Sequence, residues 1–197
     1  MPALHKGLPI LSCRGVAEWE RWLVENHATS SGVWLMIPKK GSREAEAGGT
    51  SYADALELAL CFGWIDGQKA AYDDAAWLQR FTRRGPRSKW SRINREHATR
   101  LIIEGRMRPA GAEQVELAKR DGRWEVAYEP QSAATVPDDL AAELERSPEA
   151  KAFFATLNSV NRYAILYRIG EAKRPETRAR RIHKYIEMLE RGEKLHP

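Results

Sequence analysis

The sequence predicts an α+β fold, a small mostly antiparallel sheet packed with helices and followed by an all-helical C-terminal unit. Short β-branched and aromatic runs, the signature of strands, are confined to the stretch before Arg84. Elsewhere apolar residues recur at helical spacing. Composition also shifts after Trp124, the last of 7 tryptophans, and after Pro137 every apolar pattern is helical. The expected organisation is an α+β domain with a basic central motif over residues 1–128, a linker over 129–137 and a helical unit over 138–197.

Ser12 is placed to cap a first helix, because its hydroxyl can accept from a free amide of the following turn. Val16, Trp19, Trp22 and Leu23 then form an apolar stripe running to about His27. After Gly32, the run Val33 to Ile37 is β-branched and aromatic and ends at Pro38, so it reads as a strand. Lys39 to Gly49 is polar and glycine-containing, and reads as a loop. A second helix begins near Ser51, with Ala55, Leu58, Ala59 and Phe62 as its packing face, and stops at Gly63. Trp64 to Tyr72 and Ala76 to Phe81 read as two strands joined at Asp73-Asp74, a turn by residue chemistry.

From Ser91 the period becomes helical, with Ile93, His97, Leu101 and Ile102 expected to face inward until Gly105. Pro109 opens another helix with Val115, Leu117 and Ala118, ending at Asp121-Gly122. Glu129 to Pro137 begins and ends near prolines, Pro130 and Pro137, and marks the linker. The remaining helices are expected around Leu140 and Leu144, around Phe153, Phe154 and Leu157, around Val160, Tyr163 and Tyr167, and around Ile182, Ile186 and Leu189. Ser147-Pro148 is a start signal, since proline suits the first helical position, and Asn158-Ser159 is a second break and cap.

The chain has 197 residues, enough to bury roughly 70% of its unfolded surface without a disulfide or a metal. With 43% apolar and 30% charged residues it has the composition of a globular protein. The 2 cysteines, Cys13 and Cys61, lie in segments that read as helix and are expected to be buried thiols of a reducing compartment. No apolar run is long enough for a signal peptide or a membrane span, so a cytoplasmic location without membrane insertion is expected.

A net charge of +5 favours anionic partners. The excess is concentrated at the centre: Arg80, Arg83, Arg84, Arg87, Lys89, Arg92, Arg95, Arg100, Arg106 and Arg108 face only Glu96 and Glu104 in the same stretch. Arginine forks match carboxylate and phosphate oxygens, and a helix start at Ser91 would add free amides and a partial positive charge. The bland alternative is a solvated basic loop that pairs with the protein's own acids. Asp66, expected on the same strand face as Trp64, is placed to orient Arg80 or Arg84. Trp64, Trp77 and Trp90 more often fill a core than stack on bases. The basic run Arg174 to Lys184 reads first as a solvated helix face.

No histidine pair has metal-ligand spacing, and no Gly-x-Ser-x-Gly elbow, P-loop or dinucleotide-binding glycine motif occurs. No metal and no cofactor is therefore expected, and binding is favoured over catalysis.

Taken together, Ala59 to Asp66, Arg80 to Arg84, Ser88 to Asn94, Ala118 to Trp124 and Ala172 to Ile182 resemble the bacterial YdeI/OmpD-associated family of bacteriocin-protection proteins. The resemblance runs from about Trp19 to Gly192. It implies a bacterial protein linked to tolerance of bacteriocins or cationic antimicrobial peptides and a helical C-terminal unit of the OmpD-associated type. It implies no catalytic residue. The family usually has proline after the Phe-Thr pair, where Arg83 stands in this chain, and an aromatic residue where Arg168 stands.

The candidate ligand-binding residues are Asp66, Lys69, Arg80, Arg84, Arg87, Ser88, Trp90, Ser91 and Asn94, expected to hold a small anion or phosphorylated metabolite. In this reading Trp90 supplies an apolar wall, and Ser88 and Asn94 fix the ligand's direction. A nucleic-acid-associated protein using the central and C-terminal arginines is the alternative. An enzyme of unknown reaction in the same pocket is the third class.

Overall fold

A computed structural model of the protein describes residues 3–128 and 134–197. The chain divides into two compact units, residues 1–127 and 128–197. Of the expected linker, residues 129–133 lie outside the described residues.

The first unit is built on a five-stranded sheet of order β1-β2-β3-β5-β4. Strands β1 (Leu4–His5) and β2 (Leu8–Leu11) form an antiparallel hairpin. Its two-residue turn, Lys6-Gly7, has positive φ at both positions, the geometry that matches strand twist in tight hairpins. This hairpin was not expected from the sequence, because strands of two and four residues show no legible alternation.

Strand β2 runs parallel to β3 (Val33–Pro38), with helix α1 (Val16–Asn26) as the crossover. Strand β3 is antiparallel to β5 (Ala76–Arg83), which is antiparallel to β4 (Trp64–Ala71).

The register sorts the side chains into two faces. Residues directly opposite in an antiparallel pair share a face, and neighbours along a strand alternate. Val33, Leu35, Ile37, Trp64 and Phe81 therefore point together to one side, where all are buried in a single core. Against them pack Trp19 and Leu23 of α1, the apolar face of α3 (Tyr52–Cys61), Ala98 and Leu101 of α4 (Arg92–Ile103), and Val115 and Ala118 of α5 (Pro109–Arg120). Burying one such side chain fully contributes about 1.5–3 kcal/mol. Trp34, Leu78 and Arg80 lie on the opposite face.

Several helix starts follow their caps. The hydroxyls of Ser51 and Ser91 accept from the amides of Asp54 and Asn94 at 3.2 and 3.1 Å. The first helix differs from expectation. Its N-cap is Gly15, leaving Ser12 exposed and Cys13 ahead of the helix. Glu18 of the first turn reaches back instead, accepting from the amide of Arg14, the residue before the cap, at 2.9 Å.

Within the stretch read as a loop, Ser42 caps a one-turn helix α2 (Arg43–Glu46). Helix α4 is rotated from its expected face. Asn94, Ala98 and Leu101 are buried, while Ile93 and Ile102 stay 41% and 43% exposed. Small Ala98 at the centre of that buried stripe lets α4 approach its neighbours closely, and the bulkier isoleucines turn outward.

The second unit consists of α6 (Asp138–Arg146), α7 (Pro148–Thr156), α8 (Ser159–Gly170) and α9 (Pro175–Glu190). Leu140, Leu144, Phe154, Ile165, Ile169, Ile182, Ile186 and Leu189 form its own core, whereas Val160, expected inside, is exposed. Ser147 and Asn158 cap α7 and α8 as their chemistry predicts, and Ser147 also donates to Glu190 at 2.8 Å. Among the described residues no helix is long and apolar enough to cross a membrane.

Candidate anion-binding site

Strand β5 ends at Arg83, and the amide of Arg84 donates to the carbonyl of Gly63 at 3.0 Å, tying the strand's end to the start of β4. The chain then turns. The amide of Ser88 donates to the carbonyl of Gly85, and the amide of Gly85 donates to the Ser88 hydroxyl, both at 3.0 Å.

Inside this turn the guanidinium of Arg84 lies 3.6 Å from the ring centre of Trp90 and donates to the carbonyl of Lys89 at 3.1 Å. Arg84 is only 6% exposed and Trp90 only 2%. A delocalised, weakly hydrated guanidinium tolerates such burial when stacked on an aromatic face. Trp90 in turn meets Trp124 edge-on, at 4.9 Å between ring centres. From the far side Arg123 donates to the carbonyl of Ser88 at 2.7 Å while pairing with Asp121. The connection into α4 is thus tied from both sides.

The structure brings Arg84, Arg87, Ser88, Trp90, Ser91 and Asn94 together in this one connection. Their roles differ from those expected. Arg84 and Trp90 hold the turn from within. Ser88 and Ser91 accept from backbone amides, each keeping its own O–H to donate. Asn94 is buried beneath the cap. Arg87 is exposed, and among the described residues it makes no hydrogen bond or ion pair.

Asp66, Lys69 and Arg80 do not join them in the way the sequence suggested. Asp66 pairs across the ladder with Phe81, so Arg80, one residue before Phe81, points to the other face of the sheet. Asp66 therefore does not orient Arg80. Instead its carboxylate accepts from the Tyr52 hydroxyl at 2.8 Å. Lys69 sits by the rings of Tyr52 and Trp77, at 5.3 and 4.7 Å from their centres.

Most of the central arginines are committed within the protein. Arg83 donates to the carbonyl of Ala28 at 2.8 Å, Arg95 to that of Trp124 at 3.1 Å, and Arg108 to Glu20 at 2.8 Å. Arg100 and Arg106 converge on Glu57 and Glu104, and the hydrogen bond from Arg100 holds the Glu104 carboxyl below its ordinary range. In the second unit Arg178 grips Asp139 at 2.5 and 2.8 Å, and Arg181 donates to the carbonyl of Arg168.

Sequence reasoning missed Glu57, Arg123 and Trp124 as partners. The Arg100–Glu104 pair carried an i,i+4 signal. Nothing local linked Glu57 to residues 43 and 49 positions away.

Burial pushes the Cys13 thiol up to about 11, with the Glu18 carboxylate adding to the effect, and burial raises Cys61 too. Among the described residues no group of three or more His, Cys, Asp or Glu is arranged to hold a metal ion. A hollow of about 480 Å³ along α4 is lined by Arg95, Glu96, Thr99, Arg100, Ile103 and Glu104, and by none of the residues Arg84 to Ser91.

Comparison with known proteins sorts the chain into the same two parts. Residues 133–192 match the family model described as Bacteriocin-protection, YdeI or OmpD-Associated, which confines that resemblance to the helical C-terminal part. Residues 11–114 match the model described as Domain of unknown function (DUF8412). Neither the curated proteins nor the solved structures give a match. Since the match over residues 11–114 covers just over half of the sequence, the chain belongs to the DUF8412 family, with a YdeI/OmpD-associated region at its C-terminal end.

Proposed function

We propose that the protein is a bacterial, cytoplasmic factor in tolerance of bacteriocins or cationic antimicrobial peptides, and that it works by binding a small anion or phosphorylated metabolite at the β5–α4 turn. The YdeI/OmpD-associated match supports the tolerance role. The anion site rests on one observation: an unspent, exposed Arg87 projects from a turn fixed by Arg84, Trp90 and Arg123, beside a helix whose first turn carries no acid.

Magnitudes set the kind of ligand. An exposed helix N-terminus contributes about 0.3–1 kcal/mol toward an anion. A charge-assisted hydrogen bond from a guanidinium adds about 1.5–3 kcal/mol. Together these reach about 4 kcal/mol at best, a Kd of about 1 mM. A phosphorylated metabolite with further oxygens is therefore a better fit than an isolated carboxylate.

A thermal-shift panel of nucleotides, sugar phosphates and dicarboxylates tests the reading, because a ligand that binds only the native form must raise the midpoint. A phosphorylated compound should raise it in the wild type and not in Arg87→Ala. An unchanged midpoint across the panel would remove the site. Binding to nucleic acid instead would show as a gel shift that fades steeply with salt.

A further inference from the structure

The face of the sheet that points away from the helices carries a second feature, independent of the turn. The indole Nε1 of Trp34, the Nε of Arg80 and the Nε2 of His5 are all buried, and among the described residues none has a hydrogen-bond partner. Trp34 is 1% exposed.

These groups share one face of the sheet. Trp34 and Arg80 are direct cross-strand partners on β3 and β5, so their side chains leave the sheet on the same side. His5, on the edge hairpin, turns its ring edge-on to Trp34, with ring centres 4.7 Å apart. Thr82, two residues beyond Arg80, lies on this face too.

An indole N–H and a guanidinium N–H can only donate, and Nε2 of histidine donates when it carries the ring proton. What this face lacks is a charged acceptor. The paired strand residues that share it, among them Ile10, Met36, Ile65, Ala70 and Leu78, include no aspartate or glutamate. Gln79 Oε1 is also buried without a partner, but Gln79 pairs with Leu35 and belongs to the helix side. Native proteins rarely leave buried donors unmet, and a cluster of them points to a group supplied from outside.

We propose that this face holds a small oxyanion, a carboxylate or a phosphate group, received by Trp34 Nε1 and Arg80 Nε with His5 closing the site from the edge hairpin. Arg80 supplies the charge and Trp34 the direction. The site is separate from the β5–α4 turn and does not depend on it.

The test uses the indole N–H signals of the whole protein in ¹H–¹⁵N spectra, with the Trp34 signal assigned by its loss in Trp34→Phe. Sodium phosphate and sodium acetate are titrated separately at constant ionic strength, with sodium chloride as the control. Saturable movement of the Trp34 signal with phosphate or acetate, absent with chloride, is the expected result and tells the two oxyanions apart. Arg80→Lys keeps a cation but has no Nε–H fork at that height, and should weaken the response at least ~10-fold. Should it fail to fold, Arg80→Gln serves the same purpose. Arg87→Ala should leave the response intact, which separates this site from the turn. A Trp34 signal that ignores both anions would overturn the proposal and leave ordered water as the donors' partner. A response that survives the loss of the Arg80 guanidinium would overturn it too.

Discussion

The guanidinium of Arg84 is stacked 3.6 Å from the ring centre of Trp90, and both residues are buried where strand β5 becomes helix α4. A charged side chain is thus part of the packing that shapes the turn, and its loss acts on stability. Trp90→Ala should cost about 3–5 kcal/mol, the range for removing a large buried aromatic. Arg84→Ala should cost about 2 kcal/mol or more, since it empties a packed site beside Trp90. Arg87→Ala, on the exposed side of the same turn, should change stability by less than about 0.5 kcal/mol. Urea unfolding of the three variants gives the comparison directly.

Gly111 offers a test of how closely α5 approaches α3. Ordinarily alanine in a helix interior is more favourable than glycine by about 1 kcal/mol. At this position a Cβ would lie 2.2 Å from the carbonyl oxygen of Cys61, 2.4 Å from Met107 Sδ and 2.7 Å from the carbonyl oxygen of Leu60. Two of the three are backbone atoms, which cannot swing aside. Gly111→Ala is therefore expected to destabilise the protein by about 2 kcal/mol or more, reversing the propensity gain. A lowered midpoint in thermal unfolding, read by far-UV circular dichroism, is the expected outcome.

In the helical unit, Asp139 accepts two hydrogen bonds from Arg178, and these hold its carboxyl below the ordinary range. The folded pKa is lowered, so the pair's contribution is fully present above the unfolded value of about 3.9 and is lost as pH falls through the folded value. Asp139 is well exposed, and solvent screening keeps the pair below about 1 kcal/mol. The midpoint difference between wild type and Asp139→Asn should be largest near neutral pH and close as the pH falls below about 4. A difference that persists to the lowest pH would mean the carboxylate's charge is not what stabilises the contact.

Cys13 and Cys61 are both free and buried, and burial raises both thiols, that of Cys13 to about 11. The thiolate is the reactive form, so neither should react readily with iodoacetamide in the native protein near pH 8. Unfolding in urea should make both react at once. Rapid labelling of the native chain would place a thiol at the surface.

The parts of this fold that could be read from sequence are those set by local chemistry. Ser51, Ser91, Ser147 and Asn158 each cap the helix they precede, and Asp73 makes the turn between β4 and β5. Trp64 and Asp66 share a face as strand alternation requires. The position of Arg80 relative to Asp66 was not legible, because it depends on the register of β4 against β5, which shifts at an irregularity between Asp66 and Lys69.

The candidate site was legible as a cluster and not as an arrangement. Arg84, Ser88, Trp90, Ser91 and Asn94 lie close in sequence, and the turn keeps them close in space. Arg84 is buried on Trp90, and Trp90 meets Trp124, a contact between residues far apart in sequence. Glu57, which collects Arg100 and Arg106 from across the domain, had no local signal.

The anion site proposed for Arg87 and the start of α4 lies on a turn braced by Arg84 and Trp90. Backbone amide spectra recorded during titration with a phosphorylated metabolite from the thermal-shift panel locate binding residue by residue. Saturable shifts centred on Arg87 to Asn94, lost in Arg87→Ala, are the predicted result. Shifts centred elsewhere, or none in that segment while the ligand still binds, would contradict it.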